Sequence, residues 1–84
     1  MRFYYITFRS VTYAQRGEAV LAAANIRATV LRTPKWMEEQ GCGYCLRLWT
    51  RDVGPAVAQL REKGLPMRKI YAQRSDGELE ALTV

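Results

Sequence analysis

Histidine is absent from the sequence, and this absence removes several classes of chemistry. Without an imidazole, the familiar catalytic triads and most catalytic zinc sites are excluded, and no side chain with an ordinary pKa titrates near neutral pH. The eight acidic residues form no cluster with metal-ligand spacing. The two cysteines are too few for a disulfide framework, so metal binding or thiol chemistry is their expected use. If the protein has covalent chemistry, sulfur is the expected reactive atom.

Long hydrophobic runs are also missing from the sequence. No apolar stretch approaches the roughly 20 residues that span a bilayer, and Met1 and Arg2 lead directly into a strand-like segment without the features of a signal peptide. We therefore expect a cytoplasmic protein with no membrane partner. The 84 residues suffice for one small domain. We expect residues 1–74 to form it, with 75–84 as an acidic tail or a short edge strand.

The charge is positive and unevenly distributed. Thirteen basic and eight acidic residues give a net charge of +5, and residues 1–35 contain six basic residues against the single acidic residue Glu18. A basic half of this kind fits a nucleic acid, an acidic protein surface, an anionic small molecule or simply a solubilising surface. Charge alone does not choose among these partners.

The apolar pattern predicts the element order β-α-β-β-α-β. Strand composition is found at 3–8, 27–32, 44–50 and 68–73, and helical periodicity is found at 11–24 and from Asp52 to Gly64. Ser10 and Thr12 are both candidates to cap the first helix, and Asn25 suits its left-handed end. Two crossovers of this type predict an α+β, ferredoxin-like sandwich, a four-stranded antiparallel sheet with both helices on one face.

Strand alternation predicts which face of the sheet the helices leave open. The side chains assigned to the helix-covered face are Ile6, Phe8, Leu46, Leu48, Ile70 and Ala72. Those assigned to the open face are Phe3, Tyr5, Arg47, Trp49, Lys69 and Tyr71. An aromatic face of this kind predicts a partner, and we favour a homodimer or a partner protein. The alternative is a surface for single-stranded RNA that uses Tyr5, Trp49 and Tyr71. The third strand lacks the Lys/Arg-Gly-Phe/Tyr-Gly/Ala-Phe sequence of RNA-recognition motifs, so binding to nucleic acid is disfavoured.

Several motifs resemble a known family. The opening YYITFRSVTYAQRGEAVLAAANI, the pair Thr33-Pro34 and the pair Cys42-Gly43 before an apolar strand are similar to the small selenium/sulfur carrier protein-like family over residues 3–72. The resemblance implies a carrier that passes sulfur or selenium from a donor protein, of the cysteine desulfurase type, to an acceptor protein. A carrier of this kind needs no reaction of its own, so it is not expected to be an enzyme. Family members carry one cysteine, at the position of Cys42, which makes Cys45 an addition.

The residues around Cys42 indicate a reactive thiol independently of the resemblance. A carrier cysteine must hold a persulfide or selenosulfide, and only an exposed, readily ionised thiolate attacks the donor. Gly41 and Gly43 leave little bulk around the sulfur and free the backbone to turn its N–H groups toward an anion. The alternative is a cysteine that only packs as a small hydrophobic residue.

The charged residues expected near Cys42 have opposing effects on the ionisation of its thiol. The basic candidates by topology are Lys35, Arg32 and Arg9. A nearby cation favours the thiolate, whereas Glu38 and Glu39 would disfavour it if they approach.

Cys45 has three interpretations. The first is a half-buried structural thiol, and the second is a resolving thiol that forms a disulfide with an oxidised or loaded Cys42. The C-G-Y-C spacing matches a thioredoxin motif, but here it opens a strand rather than a helix, which disfavours that activity. The third is a metal site completed by Cys42 and Cys45 of two chains across a two-fold axis. We otherwise expect no metal and no cofactor.

Overall fold

The chain order of the elements is β-α-β-β-α-β with one further strand at the end. The computed structural model describes residues 3–32, 43–73 and 79–82. The elements are β1 (Phe3–Phe8), α1 (Val11–Ala23), β2 (Ala28–Arg32), β3 (Tyr44–Trp49), α2 (Val53–Glu62), β4 (Ile70–Gln73) and β5 (Leu79–Leu82). A short 3-10 turn at Thr50–Asp52 precedes α2.

The strands form one antiparallel sheet in the order β2-β3-β1-β4-β5. Ile6 of β1 lies opposite Leu46 of β3 on one side and opposite Ile70 of β4 on the other. The first four strands and the two helices confirm the predicted ferredoxin-like α+β fold. β5 adds an edge next to β4, with Tyr71 opposite Ala81.

Local sequence signals explain where the helices begin and end. Ser10 is extended, with φ −147° and ψ 159°, and its hydroxyl accepts a hydrogen bond from the Tyr13 amide at 3.3 Å. Ser10 therefore caps α1, and Thr12 lies inside the helix. Asn25 has φ 62° and Gly64 has φ 70°, so each follows its helix in the left-handed conformation that Asn and Gly tolerate.

The core lies between the helices and one face of the sheet. Its members are Ile6, Phe8, Ala14, Leu21, Ile26, Leu46, Leu48, Ala56, Leu60 and Ile70. Five of the six residues predicted for the covered face are among them, and Ala72 is only partly buried. A Cβ atom added at Gly17 would lie 2.9 Å from Cδ1 of Leu46. The missing side chain therefore allows α1 to approach the sheet closely.

A β-bulge joins the beginning of β4 to β1. The amide of Thr7 donates to the carbonyl of Lys69 at 2.8 Å, while the amide of Arg68 donates to the carbonyl of Thr7 at 2.8 Å. Arg68 and Lys69 on one side therefore oppose the single residue Thr7 on β1, which is the definition of a bulge. The Lys69 amide donates instead to the Thr7 hydroxyl at 2.9 Å. The bulge explains why regular pairing begins at Ile70 and not at the predicted residue 68.

Candidate functional site

The beginning of β3 is the described structure nearest in sequence to the proposed carrier cysteine. Tyr44 lies opposite Phe8 at the end of β1 and opposite Arg32 at the end of β2. Gly43, immediately before the strand, is buried. Three of the predicted site residues, Lys35, Gly41 and Cys42, lie outside the described residues, as do Glu38 and Glu39. The position where their segment joins β3 is nevertheless fixed by the register of Tyr44.

Basic residues gather at this end of the sheet. Arg9 follows the end of β1, Arg32 ends β2, and Arg68 and Lys69 form the bulge that precedes β4. The three arginines are exposed and Lys69 is half-buried. The guanidinium carbon of Arg32 lies 5.9 Å from the ring centre of Tyr44. We call Arg9, Arg32, Arg68 and Lys69 the cationic end of the sheet.

Two members of the cationic end were predicted from the sequence, and the other two were not. Arg32 and Arg9 were predicted because they directly follow or end strands near Cys42. Arg68 and Lys69 are far away in sequence, and they reach this end because β4 runs antiparallel to β1. The strand order of the predicted fold was the signal that could have identified them. α1 begins at the same end, and its first turn contains no acidic residue, so the partial positive charge of the helix N-terminus adds to that of the side chains.

Cys45 is a buried thiol in the middle of the sheet. Its exposed fraction is 1%, and it lies opposite Thr7 on β1 and Leu31 on β2. The sequence predicted a half-buried structural thiol, and the half-buried part of this prediction is wrong because the side chain is almost completely covered. A thiol this deeply buried is inaccessible to solvent oxidants in the folded protein.

The C-G-Y-C segment leads into a strand. Tyr44 and Cys45 are the first two residues of β3, so the second cysteine does not lie in the first turn of a helix as it does in thioredoxin-like proteins. Within residues 3–32, 43–73 and 79–82, no three His, Cys, Asp or Glu side chains are grouped so that they could hold a metal ion. The metal site across a two-fold axis depends on Cys42 and remains a prediction.

The open face of the sheet carries a stacked aromatic cluster. The rings of Phe3 and Trp49 are 4.3 Å apart between centroids with an interplanar angle of 26°. The guanidinium carbon of Arg47 lies 4.6 Å from the Phe3 centroid, and the Tyr5 ring lies 6.5 Å from it. All four side chains are half-buried. The Phe3 ring is thus already in contact with another ring and with a cation.

Tyr71 lies on the same face but is not available at the surface. It is opposite Tyr5 in the register, as the alternation predicted, yet only 9% of it is exposed. The predicted exposure of Tyr71 is therefore wrong. β4 lies between β1 and β5 in the sheet, whereas the sequence left open whether residues 75–84 add an edge strand or form an acidic tail.

The sheet order and the two helices on one face define a ferredoxin-like α+β domain. The model of the family described as "Putative Se/S carrier protein-like" matches residues 3–72, so the chain belongs to this family. The predicted resemblance is thereby confirmed. No curated protein and no solved structure matches the chain. Over the part of the chain that the structure describes, no helix has the length and apolar character needed to cross a membrane.

Proposed function

We propose that the protein carries sulfur or selenium on Cys42 between a donor protein and an acceptor protein. The observation that carries the proposal is membership of the Se/S carrier-like family over residues 3–72. A cysteine directly before Gly43 supplies the nucleophile that such a carrier needs. Cys42 directly precedes Gly43 in the sequence, and Gly43 leads into β3 at the cationic end of the sheet.

The chemistry is a transfer between thiols without net oxidation. The Cys42 thiolate attacks the outer sulfur of a persulfide on the donor protein. A new S–S bond forms at Cys42, the donor's S–S bond breaks, and the donor cysteine leaves as a thiolate. Delivery repeats the step, with an acceptor thiolate attacking the outer sulfur held on Cys42. A selenosulfide follows the same course with selenium in the outer position.

The electrostatic surroundings favour the thiolate form that this step requires. Arg32 ends the strand on one side of the start of β3, Arg9 follows the strand on the other side, and both are exposed. Cations beside a cysteine and a nearby helix N-terminus both stabilise a thiolate relative to a thiol. Lys35 is proposed to act in the same way, and Gly41 and Gly43 to leave access to the sulfur.

The burial of Cys45 supports a structural role for it. A thiol that is 1% exposed contributes to packing as a small apolar group. A resolving role would require Cys42 to bring its sulfur to this buried position, with a turn of the backbone at Gly43. We therefore assign the carrier role to Cys42 alone and treat a Cys42–Cys45 disulfide as an outcome to be tested.

The partners are proposed to be proteins. The donor would be a persulfide-forming enzyme of the cysteine desulfurase type, as the family implies, and the acceptor a protein thiol. The protein itself is proposed to be a carrier and not an enzyme. The aromatic cluster on the open face is a suitable contact surface for such a partner or for a second copy of the chain, because Trp, Tyr and Arg are enriched at interface hot spots.

The experiment is intact-mass spectrometry of the protein after incubation with inorganic polysulfide, with a small-molecule selenodisulfide in a parallel arm. We expect the wild type and Cys45→Ala to gain sulfur from polysulfide, or selenium with one thiolate half of the reagent from the selenodisulfide, and Cys42→Ser to gain neither. Subsequent addition of a small thiol should remove the gained mass. No gain in the wild type, or a gain that Cys42→Ser retains, would contradict the proposal.

The same variants test the alternatives. A mass loss of two hydrogens in the wild type that is absent from both variants would identify a Cys42–Cys45 disulfide. One metal ion per two chains, lost in both variants, would indicate the dimeric metal site. Salt-sensitive binding to an oligonucleotide, unchanged in Cys42→Ser, would indicate an RNA-binding module. The stacking of Phe3 on Trp49 and the burial of Tyr71 argue against that last function, because both reduce the ring surface available to a base.

A further inference from the structure

We propose that the outer edge of β2 and the cleft beside it bind an extended segment of a partner protein. The segment joins the sheet as an additional antiparallel strand and places a carboxylate beside Arg27. This inference goes beyond the carrier proposal and does not depend on it, because no cysteine takes part. It rests on two features of the described residues, namely the direction of the β2 backbone groups and the cleft between α1 and the start of β2.

The hydrogen bonds at the bulge fix the direction of the backbone groups across the sheet. Thr7 turns both its N–H and its C=O toward the residues that precede β4. Because these groups alternate in direction along a strand, those of Ile6 point the other way, toward Leu46 of β3. By the same alternation, the next residues on either side of Leu46, Cys45 and Arg47, direct their groups toward β2.

The alternation leaves half of the backbone groups of β2 at an open edge. Thr29 and Leu31 lie opposite Arg47 and Cys45, and they therefore exchange hydrogen bonds with β3. Ala28 and Val30 consequently direct their N–H and C=O groups outward. β2 is the first strand in the sheet order, so no described strand pairs with these groups. Residues 28–31 contain neither a charge nor a proline, which commonly prevent pairing at an edge. The edge can therefore accept another strand.

A cleft of about 480 Å³ lies beside this edge, between α1 and the start of β2. The helix contributes Glu18, Ala19 and Ala22 to its lining, and residues 25–28 complete it. Ala19 and Ala22 are exposed, and their short side chains leave the cleft open. In an added strand, the side chain opposite Ala28 lies on the same face as Ala28 and therefore faces the cleft. Glu18 disfavours an acidic group at that position, so we expect an apolar side chain there.

The charge at the start of β2 favours an acidic partner over a second copy of this chain. Arg27 is exposed and lines the cleft, and no ion pair between described residues includes it. The residue of an added strand that lies opposite Arg27 is within reach of the guanidinium, so an aspartate or glutamate is favoured there. Two copies of the chain would each carry a net charge of +5, and their mutual repulsion opposes pairing.

The probe for the test is the peptide acetyl-Thr-Val-Thr-Val-Asp-amide. When it pairs antiparallel with β2, its valines lie opposite Val30 and Ala28 and its aspartate lies opposite Arg27. The control peptide has lysine in place of aspartate. NMR titration of the full chain at low salt, where charges are least screened, measures both dissociation constants. We expect the amide resonances of Ala28 and Val30 to shift and their hydrogen exchange to slow. The lysine peptide should bind about fivefold more weakly.

Three variants of the full chain test the charge and the edge separately. Arg27→Gln should weaken binding of the aspartate peptide and bring the affinities of the two peptides close together. Arg61→Gln is the matched control, because it removes the same charge from α2, and it should leave their ratio nearly unchanged. Val30→Pro removes an N–H that points outward and no hydrogen bond to β3, so it should abolish binding of both peptides. If Val30→Pro does not fold, Ala22→Glu tests the same site by placing a carboxylate in the cleft, and it should also abolish binding.

Several results would overturn the inference. These are the absence of shifts at Ala28 and Val30, equal affinities of the two peptides for the wild type, or an effect of Arg61→Gln as large as that of Arg27→Gln. Slow exchange of the Ala28 and Val30 amides that appears without peptide as the protein concentration rises would identify a second copy as the occupant, and it would equally overturn the acidic partner.

Discussion

Replacing Thr7 by valine should weaken the contact between β4 and β1 at the bulge while preserving the shape of the side chain. The Thr7 hydroxyl accepts the Lys69 amide at 2.9 Å and lies 3.3 Å from the Lys69 carbonyl, to which it donates. Thr7 is only 7% exposed, so water has little access to replace these bonds. The partners are 62 residues apart in sequence, which makes the contact part of the tertiary fold.

The magnitude of the Thr7→Val effect is a difference between two opposing contributions. Removing the acceptor of a poorly solvated amide costs about 1–3 kcal/mol. The methyl group that replaces the hydroxyl is buried and returns about 0.8 kcal/mol. The expected net loss in the free energy of unfolding is therefore about 1 kcal/mol, which for a domain of this size lowers the Tm by roughly 4–8 °C.

The matched control is Thr7→Ser, which keeps the hydroxyl and loses the methyl group. Its loss of stability should be similar, about 0.8 kcal/mol, so stability alone does not separate the two variants. Amide hydrogen exchange at Lys69 does separate them. We expect the Lys69 amide to exchange faster in Thr7→Val and to keep its protection in Thr7→Ser, relative to the core amides of the same variant. Unchanged protection of Lys69 in the valine variant, or a valine variant more stable than the wild type, would refute the assigned role.

Two further predictions concern the helices and are read from urea unfolding. Gly17→Ala should lower the free energy of unfolding by up to about 2 kcal/mol, because the new Cβ would meet Leu46 at 2.9 Å and overpacking outweighs the helix-propensity gain. Gly54→Ala, where the added Cβ would have no neighbour within 4 Å, should instead raise the free energy of unfolding by up to about 1 kcal/mol. Equal changes in the stability of Gly17→Ala and Gly54→Ala would contradict the close approach of α1 to the sheet. Ser10→Ala should lose about 1 kcal/mol through loss of the cap, whereas Thr12→Ala should stay within about 0.5 kcal/mol. A larger loss at Thr12 would place the cap there.

The element order and most of the core were predictable because they depend on local periodicity. Ile6 and Phe8 alternate with polar or half-buried neighbours, and the structure buries both completely. The left-handed conformation of Asn25 was equally predictable from the sequence, since few residues other than Gly adopt it easily. These features need no knowledge of distant residues.

The errors arose where a distant segment decides the outcome. The start of β4 was placed two residues early, because the bulge depends on the Thr7 hydroxyl at the far end of the sequence. Tyr71 was expected at the surface, because pairing with β5 was left open. Arg68 was missed at the candidate site because its proximity to β1 depends on the pairing of two strands that are far apart in sequence. Composition and periodicity do not contain this information.

The structure also separates two of the motifs on which the family resemblance depends. In the opening motif, the residues Thr7, Phe8 and Ser10 each have a folding role. Thr7 closes the bulge, Phe8 is completely buried in the core, and Ser10 caps α1. The motif therefore accounts for folding, and the proposed chemistry lies in the second motif, Cys42-Gly43. It follows that Cys42→Ser, which leaves all three folding residues in place, should unfold at nearly the same temperature as the wild type while carrying no sulfur.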